Sequence, residues 1–195
     1  IRAESFSVRP ALLENPNLQT TSDAYKTQNC PSVSELAAGV KFFITGYYKP
    51  AYGDKEKYQS FECNVAMQCS CPEPPGRSNE YSCKTAGNKT WRPCNNFDSS
   101  KSYCNKTSTG VEPTAWQTAA TSSCLPKGTV FKVFGSKLPT VNSKVWVAED
   151  SGGWITGRRV DLFTGQGSDA YKQAVDLTGE VMIKVCPNND KTKCS

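Results

Sequence analysis

The sequence predicts an all-β fold, a small barrel with a disulfide-rich irregular insert and short helices. Three observations lead there. Short runs of β-branched and aromatic residues recur at close spacing. Helical patterning is confined to brief stretches. Ten cysteines lie in 195 residues, and Cys63, Cys69, Cys71, Cys83, Cys94 and Cys104 crowd into one segment.

Residues 1–39 read as an N-terminal arm, polar and without clear periodicity up to residue 30. Pro31 ahead of Ser32 to Leu36 can open a short helix. Val40 to Tyr48 is a strong strand, ended by Lys49-Pro50. Gly46 inside it predicts close approach of another segment or of a ligand. Residues 51–115, rich in Cys, Pro, Asn, Ser and Gly, form a cystine-stapled insert rather than a second core. Thr129 to Phe134, Lys144 to Ala148, Val160 to Phe163 and Glu180 to Val185 read as short strands. Ser168 to Val175 reads as a helix with Ser168 as its N-cap. Residues 40–195 are thus one domain, with its barrel in 40–50 and 120–186. Cys124 and Cys186 flank barrel strands, so their bonds are expected to tie the barrel to the arm or the tail.

Composition narrows the function. Paired cysteines in an extracellular protein explain the cysteine content best. A zinc site is set aside: it needs paired Cys spacing with partners, and the chain has a single Cys69-x-Cys71 and 0 histidines. No metal or cofactor is called for. The triplets Asn88-Lys89-Thr90 and Asn105-Lys106-Thr107 are glycosylation acceptors that agree with secretion. The chain opens at Ile1 without a basic-then-apolar leader and reads as a processed form. No run of about 18 apolar residues occurs, so no membrane span is expected. The net charge of +5 is dispersed, which argues against a nucleic-acid partner and suits mild attraction to anionic wall polymers. A monomer is expected.

The chemistry concentrates in Val147-Ala148-Glu149-Asp150-Ser151-Gly152-Gly153-Trp154-Ile155-Thr156-Gly157-Arg158-Arg159-Val160-Asp161-Leu162-Phe163. Asp150 follows a strand and precedes a double glycine, which places it at a strand end. Asp161 lies in an apolar setting of the kind a general acid needs. Without histidine, acid–base work falls to carboxylates, Lys, Tyr or Cys. Asp150 could instead cap its turn through the Gly152 and Gly153 amides, and Asp161 could be an exposed strand residue. Glu149, alternating with Asp150, is expected to face solvent. Thr45, Tyr47, Tyr48, Gly152, Gly153 and Trp154 are candidate substrate contacts, since apolar sugar faces stack on aromatic rings. Alternation sends one of Tyr47 and Tyr48 into the core. Trp91, Trp116 and Trp146 read as structural.

Four separated pieces, in order, carry a resemblance. Phe43-Ile44-Thr45-Gly46-Tyr47-Tyr48-Lys49-Pro50 resembles the F-T-G-Y-Y-x-P segment of the MltA family of lytic transglycosylases. Leu125-Pro126-Lys127-Gly128-Thr129 is similar to its I-P-x-G-T turn. Val147 to Phe163, continuing through Gly165-Gln166-Gly167, is similar to its Asp–Gly–Gly block. Gly179 to Val185 resembles its closing strand. The same core is the three-aspartate, or 3D, domain. The resemblance covers residues 40–50 and 120–186. It implies a six-stranded double-psi β-barrel, shared more distantly with barwin, expansins and family-45 endoglucanases. It implies Asp161 as catalytic acid/base, with Asp150 in support. The chain departs from the pattern at Thr121, where the family has its first aspartate, and at Trp154 and Thr156, where the family has alanine and lysine. Family-45 endoglucanases carry a base where this chain has Lys49, which favours single-acid chemistry. The expected function is cleavage of β-1,4 bonds in peptidoglycan or a related wall polysaccharide. The alternatives are an expansin- or barwin-like binder of wall polymers, a family-45-like endoglucanase, and an inhibitor or effector scaffold.

Overall fold

The computed structural model describes residues 15–49 and 107–194, with the backbone of 82–84 and 91–93. Two helices precede the sheet, α1 (Pro16–Lys26) and α2 (Val33–Ala38). Strands β1 (Val40–Lys49), β4 (Thr118–Thr121), β5 (Val130–Phe134), β6 (Val145–Asp150), β7 (Arg159–Gln166) and β8 (Gly179–Val185) close as a barrel in the order β1-β7-β4-β6-β5-β8. Strands β2 (Ser82–Lys84) and β3 (Trp91–Pro93) pair separately. Helix α3 (Pro139–Ser143) joins β5 to β6, and α4 (Ser168–Asp176) joins β7 to β8. β1 runs parallel to β7, and β4 parallel to β6; the other ring pairings are antiparallel.

The expected strands are all present, each within a few residues of its predicted bounds. Residues 15–30, polar and without clear periodicity in sequence, nonetheless contain α1. Asn15 caps that helix by accepting from the Asn17 and Leu18 amides, and Pro16 pre-sets the first turn. Helix α2 starts at Ser32 with a capping box closed by Glu35. Helix α4 has Gly167 rather than Ser168 at its N-cap, with no side-chain cap. Gly167 has φ +88°, a turn that carries the chain from β7 straight into the helix.

Alternation divides each strand. Phe42 and Ile44 of β1, Ala119 of β4, Phe131 and Val133 of β5, Trp146 of β6, Val160 and Leu162 of β7 and Ile183 of β8 fill the interior. Trp146 also donates its indole N–H to the Val141 carbonyl. Trp116 packs edge-on against it, so both tryptophans are structural, as expected.

The outward residues need separate covers. Tyr25 of α1 packs on Phe43. The loop 151–158 covers Tyr47, Ala120 and Phe163 with Ile155 and Trp154. The tail covers Val130 and Val147 with Cys186 and Cys194. Helix α4 instead packs on the inward series of β1 and β7, with Ala170 against Tyr48. Its Ala174 backbone lies where a side chain on Gly46 would go, so the close approach predicted at Gly46 is by a chain segment. Disulfides Cys30–Cys124 and Cys186–Cys194 tie arm to barrel and tail to barrel, as the flanking positions suggested. The other cysteines, Asn88 and Asn105 lie outside the residues whose side chains are described.

Candidate active site

The site is a row across four strands. In register, Thr45 of β1 pairs with Asp161 of β7, Asp161 with Ala120 of β4, and Ala120 with Asp150 of β6. Laterally paired residues point to one side of a sheet. Thr45, Asp161 and Ala120 are outward residues, alternating with interior Ile44, Leu162 and Ala119. Asp150 joins them through an irregularity. Ala119 pairs with Ala148, but the next residue, Ala120, pairs with Asp150. Glu149 is thus an extra residue, a bulge that turns Asp150 out of the interior series Trp146–Ala148. The two carboxylates flank Ala120, whose methyl leaves room between them. Their Cα atoms are about 10 Å apart, two inter-strand spacings.

Both carboxylates are buried, Asp150 at 2% and Asp161 at 4% exposure. Asp161 Oδ1 accepts from the Thr45 hydroxyl at 2.8 Å. It is therefore not an exposed strand residue. Asp150 Oδ1 accepts from the Ser108 amide at 2.8 Å, and Oδ2 from the Tyr47 hydroxyl at 3.5 Å. Its cap thus comes from Ser108, in the turn Thr107–Val111, rather than from the double glycine. Burial raises the Asp150 pKa, opposed by the Ser108 and Ser151 amides and the Lys127 charge. Burial, then the charges of Asp150 and Asp161, push the Tyr47 hydroxyl well above its ordinary range. Tyr47 therefore stays protonated and serves as a donor.

Of the predicted residues, the fold brings Asp150, Asp161, Thr45, Tyr47 and Trp154 to one wall. Trp154 packs against the cluster of Tyr47, Ala120, Ile155 and Phe163. Tyr48 turns the other way, edge-on to Tyr171 under α4. Gly152 and Gly153 lie in the exposed turn where the Ile155 amide donates to the Gly152 carbonyl. Glu149 differs from expectation: it is half-buried and accepts from the Thr118 hydroxyl at 2.7 Å. The bulge removes it from simple alternation. Thr121 spends its hydroxyl on the Leu125 carbonyl, closing the turn after β4.

Sequence reasoning missed Ala120, Ser108 and Arg159. β4 reads Thr-Ala-Ala-Thr, too short and too small to stand out as a strand. Ser108 carries no motif. Arg159 had a signal, alternation with Asp161 and Phe163.

Residues 118–185 match the family model of the 3D domain. This stretch is similar to a 3D domain. The match spans β4 to β8 and so contains both aspartates, while β1 completes the ring from outside it. No curated protein matches the sequence. Among solved structures, the chain is similar to an apo form of Escherichia coli lytic transglycosylase MltA, at 24% identity and TM-score 0.37, covering 41% of this chain and 26% of that one. It thus spans about a quarter of that protein's length. It is also similar to E. coli MltA with bound chitohexaose, at 16% identity and TM-score 0.48, covering 74% of this chain and 71% of that one. The lytic transglycosylase LtgG of Burkholderia pseudomallei is similar at 12% identity and TM-score 0.46, covering 93% and 89%.

Proposed function

We propose that this chain is a secreted glycan-cleaving enzyme of the lytic transglycosylase type, acting on β-1,4 bonds of peptidoglycan or a related wall polysaccharide. The observation that carries the reading is the row Thr45–Asp161–Ala120–Asp150, with both carboxylates on one wall of a stretch similar to a 3D domain. Asp161 protonates the glycosidic oxygen as the bond to the anomeric carbon breaks. The carboxylate then takes the proton of the sugar's own 6-hydroxyl as that oxygen attacks the anomeric carbon. The 1,6-anhydro ring closes, the acid is restored and no water is consumed. Thr45 orients Asp161, and Asp150, held by Ser108 and Tyr47, supports the positive charge that builds on the sugar. Trp154 and Tyr47 supply the aromatic wall.

The finer features of this reading have their own support. The parallel pairs β1–β7 and β4–β6 favour the double-psi topology. Disulfides Cys30–Cys124 and Cys186–Cys194 favour an oxidising, extracellular setting, with Asn88 and Asn105 as glycan acceptors. The protein acts as a monomer.

Incubation with purified peptidoglycan and mass spectrometry of the soluble products tests the proposal. Anhydro-sugar ends support it. Hydrated ends would make the protein a hydrolase. Co-sedimentation without products would favour a second reading, an expansin-like binder, for which Thr121 and Thr156 at the family's aspartate and lysine positions speak.

A further inference from the structure

We propose that Arg159 is a positioning residue that fixes the plane of the Trp154 ring beside Asp161, and so sets where a pyranose ring rests against the acid. Trp154 as a sugar platform rests on the function proposed above; the Arg159–Trp154 coupling rests on geometry alone. Arg159 is 0% exposed, and a buried guanidinium is costly unless its donors are met. Here they are turned onto the loop that carries Trp154. Nη2 donates to the Trp154 carbonyl and, at 3.1 Å, to the Thr156 hydroxyl, and Nε donates to the Thr156 carbonyl at 3.4 Å. The Trp154 ring lies over the guanidinium carbon, 3.3 Å from ring centroid to carbon. Asp23 of α1 faces Nη1 at 4.0 Å. One planar cation thus holds both the backbone and the ring of the same residue, which only a flat fork with five donors can do.

The place of this stack gives it a function. Arg159 and Asp161 are successive outward residues of β7, about 7 Å apart along the strand. Trp154 packs against both the Tyr25–Phe43 cluster and the cluster of Tyr47, Ala120, Ile155 and Phe163, so it bridges from the α1 cover to the acid row. Tilting it would move the platform relative to Asp161 without touching the carboxylate.

The test uses the full chain labelled with 5-fluorotryptophan. The four tryptophans give four fluorine resonances, and loss of one in Trp154→Phe identifies the Trp154 signal. In Arg159→Lys, which keeps the charge but loses the flat stack, that signal is expected to shift while the others stay. KM on peptidoglycan, or Kd for a soluble β-1,4-linked N-acetylglucosamine hexamer, is expected to rise about tenfold, the scale of a desolvated cation–π contact, with kcat within about twofold. Trp154→Ala should give a similar rise, and the double variant no more than either alone. An unmoved Trp154 signal, additive losses, or a change confined to kcat or to Tm would overturn the proposal. Should Arg159→Lys not fold, Thr156→Val removes one acceptor while keeping the shape; a rise of about two- to threefold supports the proposal and no change overturns it. If the wild type neither cleaves nor binds glycan, the proposed function fails, while the fluorine signal still decides whether Arg159 holds Trp154.

Discussion

Asp161 and Asp150 have similar burial but different neighbours, and their substitutions separate them. Asp161→Asn keeps the shape and cannot give or retake a proton. It should cut release of anhydro products by about 10²–10⁴-fold with an unchanged circular dichroism spectrum; full activity in this variant would remove Asp161 from the acid role. Asp150→Asn should cost activity less, and its clearer signature is in stability. Burial raises the folded-state pKa of Asp150 above its unfolded value, about 3.9. The folded form therefore binds that proton more tightly. The stability so gained is fully present below the unfolded pKa and is lost as pH rises through the raised folded one. The Tm of Asp150→Asn relative to wild type should thus be higher near pH 7 than near pH 4. A difference that does not vary with pH would remove burial of the charge as the cause.

Strand β1 is the element on which fold and site meet. Its outward residues Thr45 and Tyr47 serve the carboxylates, while Gly46 between them lets α4 approach. In Gly46→Ala the new methyl meets the Ala174 backbone, which cannot swing aside as a side chain could. A loss of about 1–3 kcal/mol in urea unfolding is expected, and a neutral result would mean α4 shifts freely. β1 was also the most legible element, because a run of aromatic and β-branched residues ending at Lys49-Pro50 is a strong local signal. The Asp–Gly–Gly block was legible for a similar reason. What stayed hidden was set by non-local pairing. β4 has no local strand signal; its neighbours on both sides make it a strand. The outward aim of Asp150 depends on which residue faces Ala120, and no spacing within β6 reveals that. The Ser108 cap arrives from 42 positions away, and Asn15-Pro16, a local helix start, was masked by the polar run that follows it.

Across the molecule, two staples differ in reach. Cys30–Cys124 closes 94 residues of sequence separation, and Cys186–Cys194 closes 8. A cross-link that closes a longer loop restrains the unfolded chain more, so Cys30→Ser with Cys124→Ser should lose about 2–4 kcal/mol and the tail pair less, read from denaturation midpoints. An equal loss from both would place the effect in folded-state packing instead. Closure of the ring gives the bulge at Glu149 a consequence of its own. In an open sheet an edge strand can slip by one to absorb an extra residue. Here β6 has a neighbour on each side, and its pairing with β5 runs without interruption from Val130–Val147 to Lys132–Val145. Glu149 has to bulge because it is there. Without it the aspartate would follow inward Ala148 directly and face Ala120 in plain alternation, still outward. What its removal would cost is its own carboxylate, the acceptor for the Thr118 hydroxyl, so the row keeps its aim while β4 and β6 lose a side-chain tie.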